Sequence, residues 1–205
     1  MDKAWNRSEK YRREYMEHKR YQITQWCHNF IKDYVQEGDI CVDATVGGGN
    51  DTKFLCELVG ETGTVIGFDI QKEAIKKAEE KLKSHHFLKR TKLILDGHEH
   101  IANYVSPNSV SCIVFNLGYF PGGDHKITTQ LATTIQAVSN GLDCLKVGGI
   151  MSLCIYSGGD SGFEEKEGLL PFLQQLDSKK YIVIMSQYYN RPNNPPIPVF
   201  IIKIK

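Results

Sequence analysis

The stretch Asp43-Ala44-Thr45-Val46-Gly47-Gly48-Gly49 decides the fold of this 205-residue chain. It joins a short apolar run, residues 39–44, to a segment with helical character at about 51–59. Glycines at a strand-to-helix turn let the backbone bend tightly and approach a ligand closely. The free N–H groups of the following helix point toward the same place. Taken alone, the segment is also compatible with a purely structural turn.

Strands and helices alternate on both sides of this turn. We predict strands at 39–44, 64–69, 92–96, 110–116 and 150–156, and helices at 51–59, 71–84, 128–145 and 164–175. This alternation is typical of an α/β fold with a mostly parallel sheet covered on both faces. Two further β-rich runs, 181–185 and 199–203, are joined by a Pro/Asn-rich connection without a helix and should pair antiparallel. We therefore expect one domain over 1–205, with a helical extension at 1–36 and a seven-stranded Rossmann-like core at 37–205.

The composition is that of an ordinary globular protein, with 41% hydrophobic and 24% charged residues. No apolar run approaches the roughly 18 residues that suggest a membrane span, and the charged N-terminus does not resemble a secretory signal. We therefore expect a cytoplasmic protein without a membrane partner. The six cysteines form no C-x-x-C pair and should be reduced core residues, and the histidines lack metal-ligand spacing. No metal is expected.

The net charge is only +1, but basic residues are concentrated at the two ends. Residues 1–20 carry a balance of +3, and residues 178–205 hold five Lys or Arg side chains with no acid. Such ends are able to contact phosphates. A solvated helix face and a lysine-protected edge strand explain the same pattern equally well.

Acidic residues follow the next two predicted strands. Asp69, with Ile70 and Gln71 behind it, ends the second strand about 20 residues past the turn, where a carboxylate can bind both ribose hydroxyls of an adenosine. Asp96-Gly97-His98 ends the third strand and is placed to meet an adenine. The chain has no Gly-Lys-Ser/Thr of a P-loop and no third glycine spaced for a pyrophosphate. An acid at a strand end is also a common helix cap.

The fourth strand ends in Asn116-Leu117-Gly118-Tyr119, which resembles the Asn/Asp-Pro-Pro-Tyr motif of amino-group methyltransferases. The Asn116 side chain and a following backbone carbonyl can accept hydrogen bonds from a target amine. Tyr119 can pack against the target and favour the cationic character of the transferring methyl group. Asp43 would then lie near the sulfonium end of the cofactor. Leu117 and Gly118 replace the two prolines, and a buried strand ending in an ordinary turn is the alternative.

Several longer stretches resemble one bacterial family, the group described as rRNA methylases that includes the methyltransferase of 5-aminomethyl-2-thiouridine at tRNA position 34. The matching stretches lie at 43–52, 67–71, 96–98, 116–125, 133–137, 158–166 and 193–196. The resemblance implies a class I methyltransferase dependent on S-adenosylmethionine (SAM), acting on the anticodon loop of tRNA. It implies cofactor contacts from Asp43, Gly47, Gly49, Asn50, Asp51, Asp69, Gln71, Asp96 and His98, and a reacting site at Asn116, Leu117 and Tyr119. We also assign Thr45, Ile70, Gly97, Asn116 and Leu117 to the cofactor site.

The reacting group and substrate are expected to meet the loops that follow the fourth and fifth strands, where ligands bind in open α/β sheets. The residues assigned there are Asn116 and Tyr119 as catalytic, and Tyr119, Pro121, Asp124, His125 and Tyr156 as substrate-binding. The open alternatives are an rRNA base or small-molecule amine methyltransferase, and a catalytically silent protein that binds SAM or RNA. A nicotinamide oxidoreductase is disfavoured because no hydride-transfer acid is apparent. A homodimer is left open.

Overall fold

The structure, a computed structural model, describes residues 21–118, 128–156 and 159–205. Its helices are α1 (Ile23–Ile31), α2 (Asn50–Val59), α3 (Lys72–Ser84), α4 (Leu131–Cys144) and α5 (Gly159–Gln174). Its strands are β1 (Ile40–Asp43), β2 (Thr64–Asp69), β3 (Thr91–Leu95), β4 (Val110–Leu117), β5 (Leu145–Ile155), β6 (Tyr181–Met185) and β7 (Ile197–Lys203). Short 3₁₀ turns lie at Lys32–Tyr34, Leu88–Arg90 and His98–Asn103.

The strands form one seven-stranded sheet in the order β3-β2-β1-β4-β5-β7-β6. Neighbours from β3 to β5 are parallel, whereas β7 runs antiparallel to both β5 and β6. The predicted fold class and the predicted antiparallel pairing of the last two strands are therefore confirmed. The strand order reverses direction between β1 and β4, and in open α/β sheets this position is where ligands bind.

The alternation of side chains along the central strands explains why helices cover both faces. In β4, Ile113 and Phe115 belong to the core under α4 and α5. Cys112 and Val114 point the other way and pack with side chains of α1, α2 and α3. Successive residues of a strand face opposite sides, so a strand apolar at every position must be buried on both. All six cysteines are buried and free, as predicted.

Two predicted boundaries differ from the structure by five residues, and smaller differences lie at α4, which begins at Leu131 rather than 128, and at β7, which begins at Ile197 rather than 199. Strand β5 begins at Leu145 rather than at 150, because Leu145 pairs with Val110 and Ile150 with Cys112, so that 146–149 form an insertion in the ladder. Gly148, at φ +81°, allows this irregular turn. Helix α5 begins at Gly159 rather than 164, within a glycine-rich stretch expected to be a loop. Glycine is tolerated in a helix at a cost of about 1 kcal/mol, which tertiary packing can offset.

The basic C-terminal residues do not all face solvent. Lys203 is buried, and its Nζ donates to the carbonyls of Leu142 at 2.9 Å and Leu145 at 2.8 Å and to Asn108 Oδ1 at 2.8 Å. Its strand lies inside the sheet, and β6 is the edge. Lys203 is therefore neither a phosphate contact nor a protector of an edge strand. The basic segment 1–20 lies outside the described residues.

Within the described ranges, no helix has the length and apolar character needed to cross a bilayer. The same part of the chain brings no group of three or more His, Cys, Asp or Glu side chains into an arrangement that could hold a metal ion.

Candidate cofactor and reaction site

A cavity of about 530 Å³ opens where strands β1 to β5 end. Its volume lies in the range of roughly 300–1,000 Å³ that is common for small-molecule sites. Most of the residues assigned to the cofactor from the sequence line it, together with one assigned to the substrate: Thr45, Gly47, Asn50, Asp51, Asp69, Ile70, Gln71, Asp96, Gly97, His98, Asn116, Leu117 and Tyr156. The fold thus brings together residues from the ends of five strands, β1 to β5.

The glycine-rich turn is fastened to the neighbouring strand. The Gly47 N–H donates to Asp69 Oδ2 at 2.8 Å, and the Val46 N–H donates to the Phe68 carbonyl at 3.0 Å. Gly49 has φ +71°, and a Cβ at this position would lie 2.9 Å from the Cβ of Ala78. A side chain at Gly49 would therefore be strained and would push α3 away from the turn.

Asp43 and Gly49 are not part of the cavity wall. Asp43 is completely buried, and its carboxylate accepts hydrogen bonds from Thr52 Oγ1 at 2.6 Å and the Thr45 N–H at 3.2 Å. Burial, together with the negative charges of Asp51 and Asp69, raises the pKa of Asp43 to about 7. In this structure Asp43 therefore stabilises the glycine-rich turn through its hydrogen bonds with Thr45 and Thr52. Gly49 allows the close approach of the turn to Ala78 on α3.

Asp69 and Ile70 form the end of β2 at the cavity. Asp69 Oδ1 accepts from the Gln71 N–H at 2.9 Å, and Oδ2 is held by Gly47. Each carboxylate oxygen keeps a lone pair for a further donor such as a ribose hydroxyl. Burial raises the pKa of Asp69. Ile70 is 60% exposed although it is apolar, and it offers a surface on which a flat ring can pack.

The segment after β3 supplies an acid and a buried imidazole. Asp96 accepts from His100 Nδ1 at 2.9 Å and from the Tyr104 hydroxyl at 2.8 Å, and the bond from His100 lowers its pKa. His98 Nδ1 lies 3.2 Å from the Ala44 carbonyl, which can only accept, so Nδ1 carries the proton. Among the described residues its buried Nε2 has no partner, and burial lowers the pKa of His98. A neutral imidazole with an unused acceptor therefore lies in the wall of the cavity.

Asn116 connects the end of β4 to the glycine-rich turn. Its backbone N–H donates to Thr45 Oγ1 at 2.7 Å, and its side-chain Nδ2 donates to Asp51. Leu117 and Tyr156 line the cavity beside it. The other residues assigned to the reaction and the substrate, Tyr119, Pro121, Asp124 and His125, lie outside the described residues.

Sequence reasoning missed the residues that hold the site from a distance. Thr129 Oγ1 accepts from the Gly118 N–H at 2.9 Å and donates to the buried Glu165 at 2.6 Å, and Thr134 donates to the same carboxylate at 2.6 Å. On α1, His28 contacts Asp51. These contacts join residues far apart in the chain, so no local spacing signals them.

Two solved structures match this architecture closely. A "putative rRNA-methylase" from Clostridium thermocellum is 51% identical and covers 86% of this chain and 95% of its own, with a TM-score of 0.84. A "putative methyltransferase" from Streptococcus mutans in complex with S-adenosylhomocysteine (SAH) is 37% identical and covers 89% of this chain and 98% of its own, with a TM-score of 0.81. With the cavity and the strand-end acids described above, they define a Rossmann-like methyltransferase that depends on SAM.

Sequence comparison identifies the family. The profile described as "Putative rRNA methylase" matches residues 65–202, and the chain belongs to this family. A protein from Arabidopsis thaliana named tRNA (mnm(5)s(2)U34)-methyltransferase, chloroplastic, is 35% identical over 193 residues, which are 90% of this chain and 70% of the relative. The resemblance of the sequence motifs to this family is thus confirmed.

The residues present fit the cofactor. Asp69 is placed for a ribose diol, Ile70 offers an apolar surface for adenine, and His98 holds an unused buried acceptor at the wall. When bound, SAM supplies an electrophilic methyl group on a sulfonium and leaves as the thioether SAH.

Proposed function

We propose that this enzyme methylates a primary amine on RNA, namely the 5-aminomethyl group of uridine or 2-thiouridine at position 34 of tRNA. The product would be the methylaminomethyl nucleoside. The observation that carries the proposal is the position of Asn116, whose carboxamide lines the cofactor cavity at the end of β4 while its backbone is bonded to the cofactor turn. The name of the Arabidopsis thaliana relative supports this substrate.

The chemistry of methylating an amine suits such a site. The nitrogen lone pair forms a bond to the methyl carbon as the carbon–sulfur bond breaks, and the ammonium formed then loses a proton to solvent. The protein must chiefly hold an unprotonated amine in line with that bond, and positioning of this kind contributes several kcal/mol. A carboxamide oxygen accepts from the amine without needing a charge of its own.

The test is incubation of the purified protein and SAM with tRNA from cells that lack this methylation, followed by nucleoside mass spectrometry. We expect one added methyl on the aminomethyl nucleoside and no change elsewhere. Methyl incorporation into ribosomal RNA but not into tRNA would overturn the assignment of the substrate, while the assignment of methyltransferase activity would stand.

The Asn116→Ala variant tests the residue that carries the proposal. We expect turnover to fall roughly 100-fold or more, as for the loss of a well-placed hydrogen-bonding group in a reaction site. SAH binding, measured by calorimetry, should stay within about threefold, equivalent to less than 1 kcal/mol. Loss of binding and turnover in parallel would make Asn116 a cofactor residue instead.

A further inference from the structure

The carboxylate of Asp51, at the start of α2, lies between two side chains. Its Oδ1 is 2.7 Å from His28 Nε2, and its Oδ2 accepts from Asn116 Nδ2. The Asp51 side chain is only 13% exposed and that of His28 16%. Both carboxylate oxygens of a residue assigned to the cofactor from sequence are thus engaged by protein groups.

These contacts fix the orientation of the Asn116 side chain. An ionised carboxylate can only accept hydrogen bonds, so Asn116 must turn its NH₂ group toward Asp51. The amide oxygen and nitrogen lie on opposite sides of one carbon, so Oδ1 is turned away from Asp51. Without such a partner the two orientations of a carboxamide differ little in shape, and a side chain free to flip would present NH₂ to an amine half of the time.

His28 restrains Asp51 in turn. Its ring stacks on Phe54 with centroids 3.7 Å apart and planes within 4°. Phe54 belongs to α2, the helix that carries Asp51, so the imidazole is clamped between α1 and α2. Nε2 donates to the carboxylate, since the carboxylate cannot donate. Helix α1, which precedes the sheet, thereby reaches the reaction site through two hydrogen bonds.

We propose that Asp51, held by His28, is a positioning residue that aims the Asn116 carboxamide oxygen at the substrate amine. This inference rests on the proposed function, because it assigns Asn116 the amine. It gives α1 a part in methyl transfer and gives Asp51 a role distinct from cofactor binding. Preorganised hydrogen-bonding groups lower a barrier because they need no reorientation as the reaction proceeds.

The first test needs no substrate. The side-chain NH₂ signals of Asn116 can be assigned in ¹H–¹⁵N NMR spectra by their loss in Asn116→Ala. We expect Asp51→Ala to move them to the positions of unbonded carboxamides, and Glu57→Gln, on the same helix, to leave them unchanged. Unchanged Asn116 signals in Asp51→Ala would overturn the proposed contact, whatever the natural substrate is.

The second test separates positioning from cofactor binding. We expect Asp51→Ala to lower kcat roughly 100-fold while the Kd for SAH changes less than about threefold. Asp51→Asn should recover most of the rate, because its amide oxygen can still accept from Asn116. A fall in SAH affinity that matches the fall in kcat would make Asp51 a cofactor ligand and overturn the proposal.

A double variant tests whether Asp51 acts through Asn116. Groups that act as a unit are strongly non-additive. The variant carrying both Asn116→Ala and Asp51→Ala should therefore be no slower than Asn116→Ala alone. A rate loss equal to the product of the two single losses would show that Asp51 acts independently. Melting temperatures identify any variant that fails to fold. If Asp51→Ala does not fold, Asp51→Asn and the His28 variants replace it in the comparison of kcat and SAH affinity.

His28 is tested with a matched pair. His28→Ala should lower kcat roughly tenfold, the usual scale for an outer hydrogen-bonding partner, while His28→Gln, which retains an N–H donor, should restore much of it. His85→Ala, at the exposed end of α3, is the control and should not change kcat. Equal kcat for His28→Ala and wild type would remove His28 from the proposal. If wild-type protein methylates no tRNA, the proposed function fails, whereas the NMR result still decides the contact.

Discussion

Asp69 lines the cavity with a carboxylate that can still accept hydrogen bonds from a ligand. It accepts one hydrogen bond on each carboxylate oxygen, from the backbone N–H groups of Gly47 and Gln71. One lone pair on each oxygen therefore stays available toward the cavity. Two vicinal hydroxyls can complete this arrangement with one hydrogen bond to each oxygen. The carboxylate closes the glycine-rich turn, and we propose that it also binds the ribose hydroxyls.

We predict that Asp69→Ala weakens SAH binding roughly 10- to 100-fold, the value of a hydrogen bond to a charged group. Calorimetry with SAH and with its 2′,3′-dideoxy analogue separates the two roles. If Asp69 binds the hydroxyls, the analogue should bind wild type and variant with similar affinity. A loss that is equal for both ligands would mean that the variant only distorts the turn. Asp33→Ala, an exposed acid outside the cavity, is the control.

For single residues, the sequence predicts which strand ends line the cavity, but it does not predict the hydrogen bonds that hold their side chains in place. Asp69 and Asn116 were found because strand ends carry a recognisable pattern of acid, glycine and amide. Asp43 matches the same pattern, yet it is completely buried at the end of the central strand β1, where its carboxylate accepts a hydrogen bond from Thr52. His28 and Glu165 were missed because their partners lie 23 and 31–36 residues away in the chain.

Lys203 connects β7 with α4, β5 and the turn before β4. Its ammonium group, on β7, caps carbonyls at the junction of α4 and β5 and reaches Asn108 in the turn before β4. The last carbonyls of a helix have no partner within the helix and must find one elsewhere. A lysine from a strand far along the chain thus completes the end of α4.

Lys203→Met keeps the stem of the side chain and removes the donor. We expect it to lower the free energy of unfolding by about 1–3 kcal/mol for each buried carbonyl left unpaired. Denaturant titration followed by circular dichroism measures this change. Lys205→Met, two residues further on at an exposed position, should have an effect within about 0.5 kcal/mol. Equal stability of the two variants would contradict the capping role.

The elements themselves were largely predictable. Continuous apolar runs predicted the central strands because those strands are buried on both faces, and an amphipathic pattern predicted α3. The predicted start of β5 is wrong because residues 146–149 have no partners in the ladder between β4 and β5. The β-propensity of single residues does not indicate such an insertion. The predicted start of α5 is wrong because a glycine-rich segment usually indicates a loop, whereas here the helix includes it.

For the molecule as a whole, Asp43 links stability to pH. Burial raises its pKa to about 7 in the folded protein, against an ordinary value of about 3.9 for an aspartate side chain. Between those values the folded state binds more protons at this residue than the unfolded state does. The free energy of unfolding therefore falls as pH rises through this window, and this contribution favours the folded state below it.

We predict that wild type loses up to a few kcal/mol of stability from this residue between about pH 4 and pH 7. Asp43→Asn cannot ionise, and the Thr52 hydroxyl can reorient to accept from its NH₂ group. The variant should therefore show a flatter dependence of unfolding free energy on pH over the same window. Urea titrations at several pH values measure both slopes, and identical slopes would show that Asp43 titrates near its ordinary pKa.

The position of β7 within the sheet has a consequence for synthesis on the ribosome. Among the described strands, β6 pairs only with β7, and β7 is the strand that joins it to β5. As the chain emerges, the strands from β1 to β5 can assemble in order of synthesis, but β6 has no neighbour to pair with until residues 197–203 have left the exit tunnel. During that interval the backbone N–H and C=O groups of β6 have no strand partner, and its apolar side chains Ile182, Val183, Ile184 and Met185 stay 36–56% exposed even after folding. This unpaired apolar strand is what a chaperone would engage on the nascent chain.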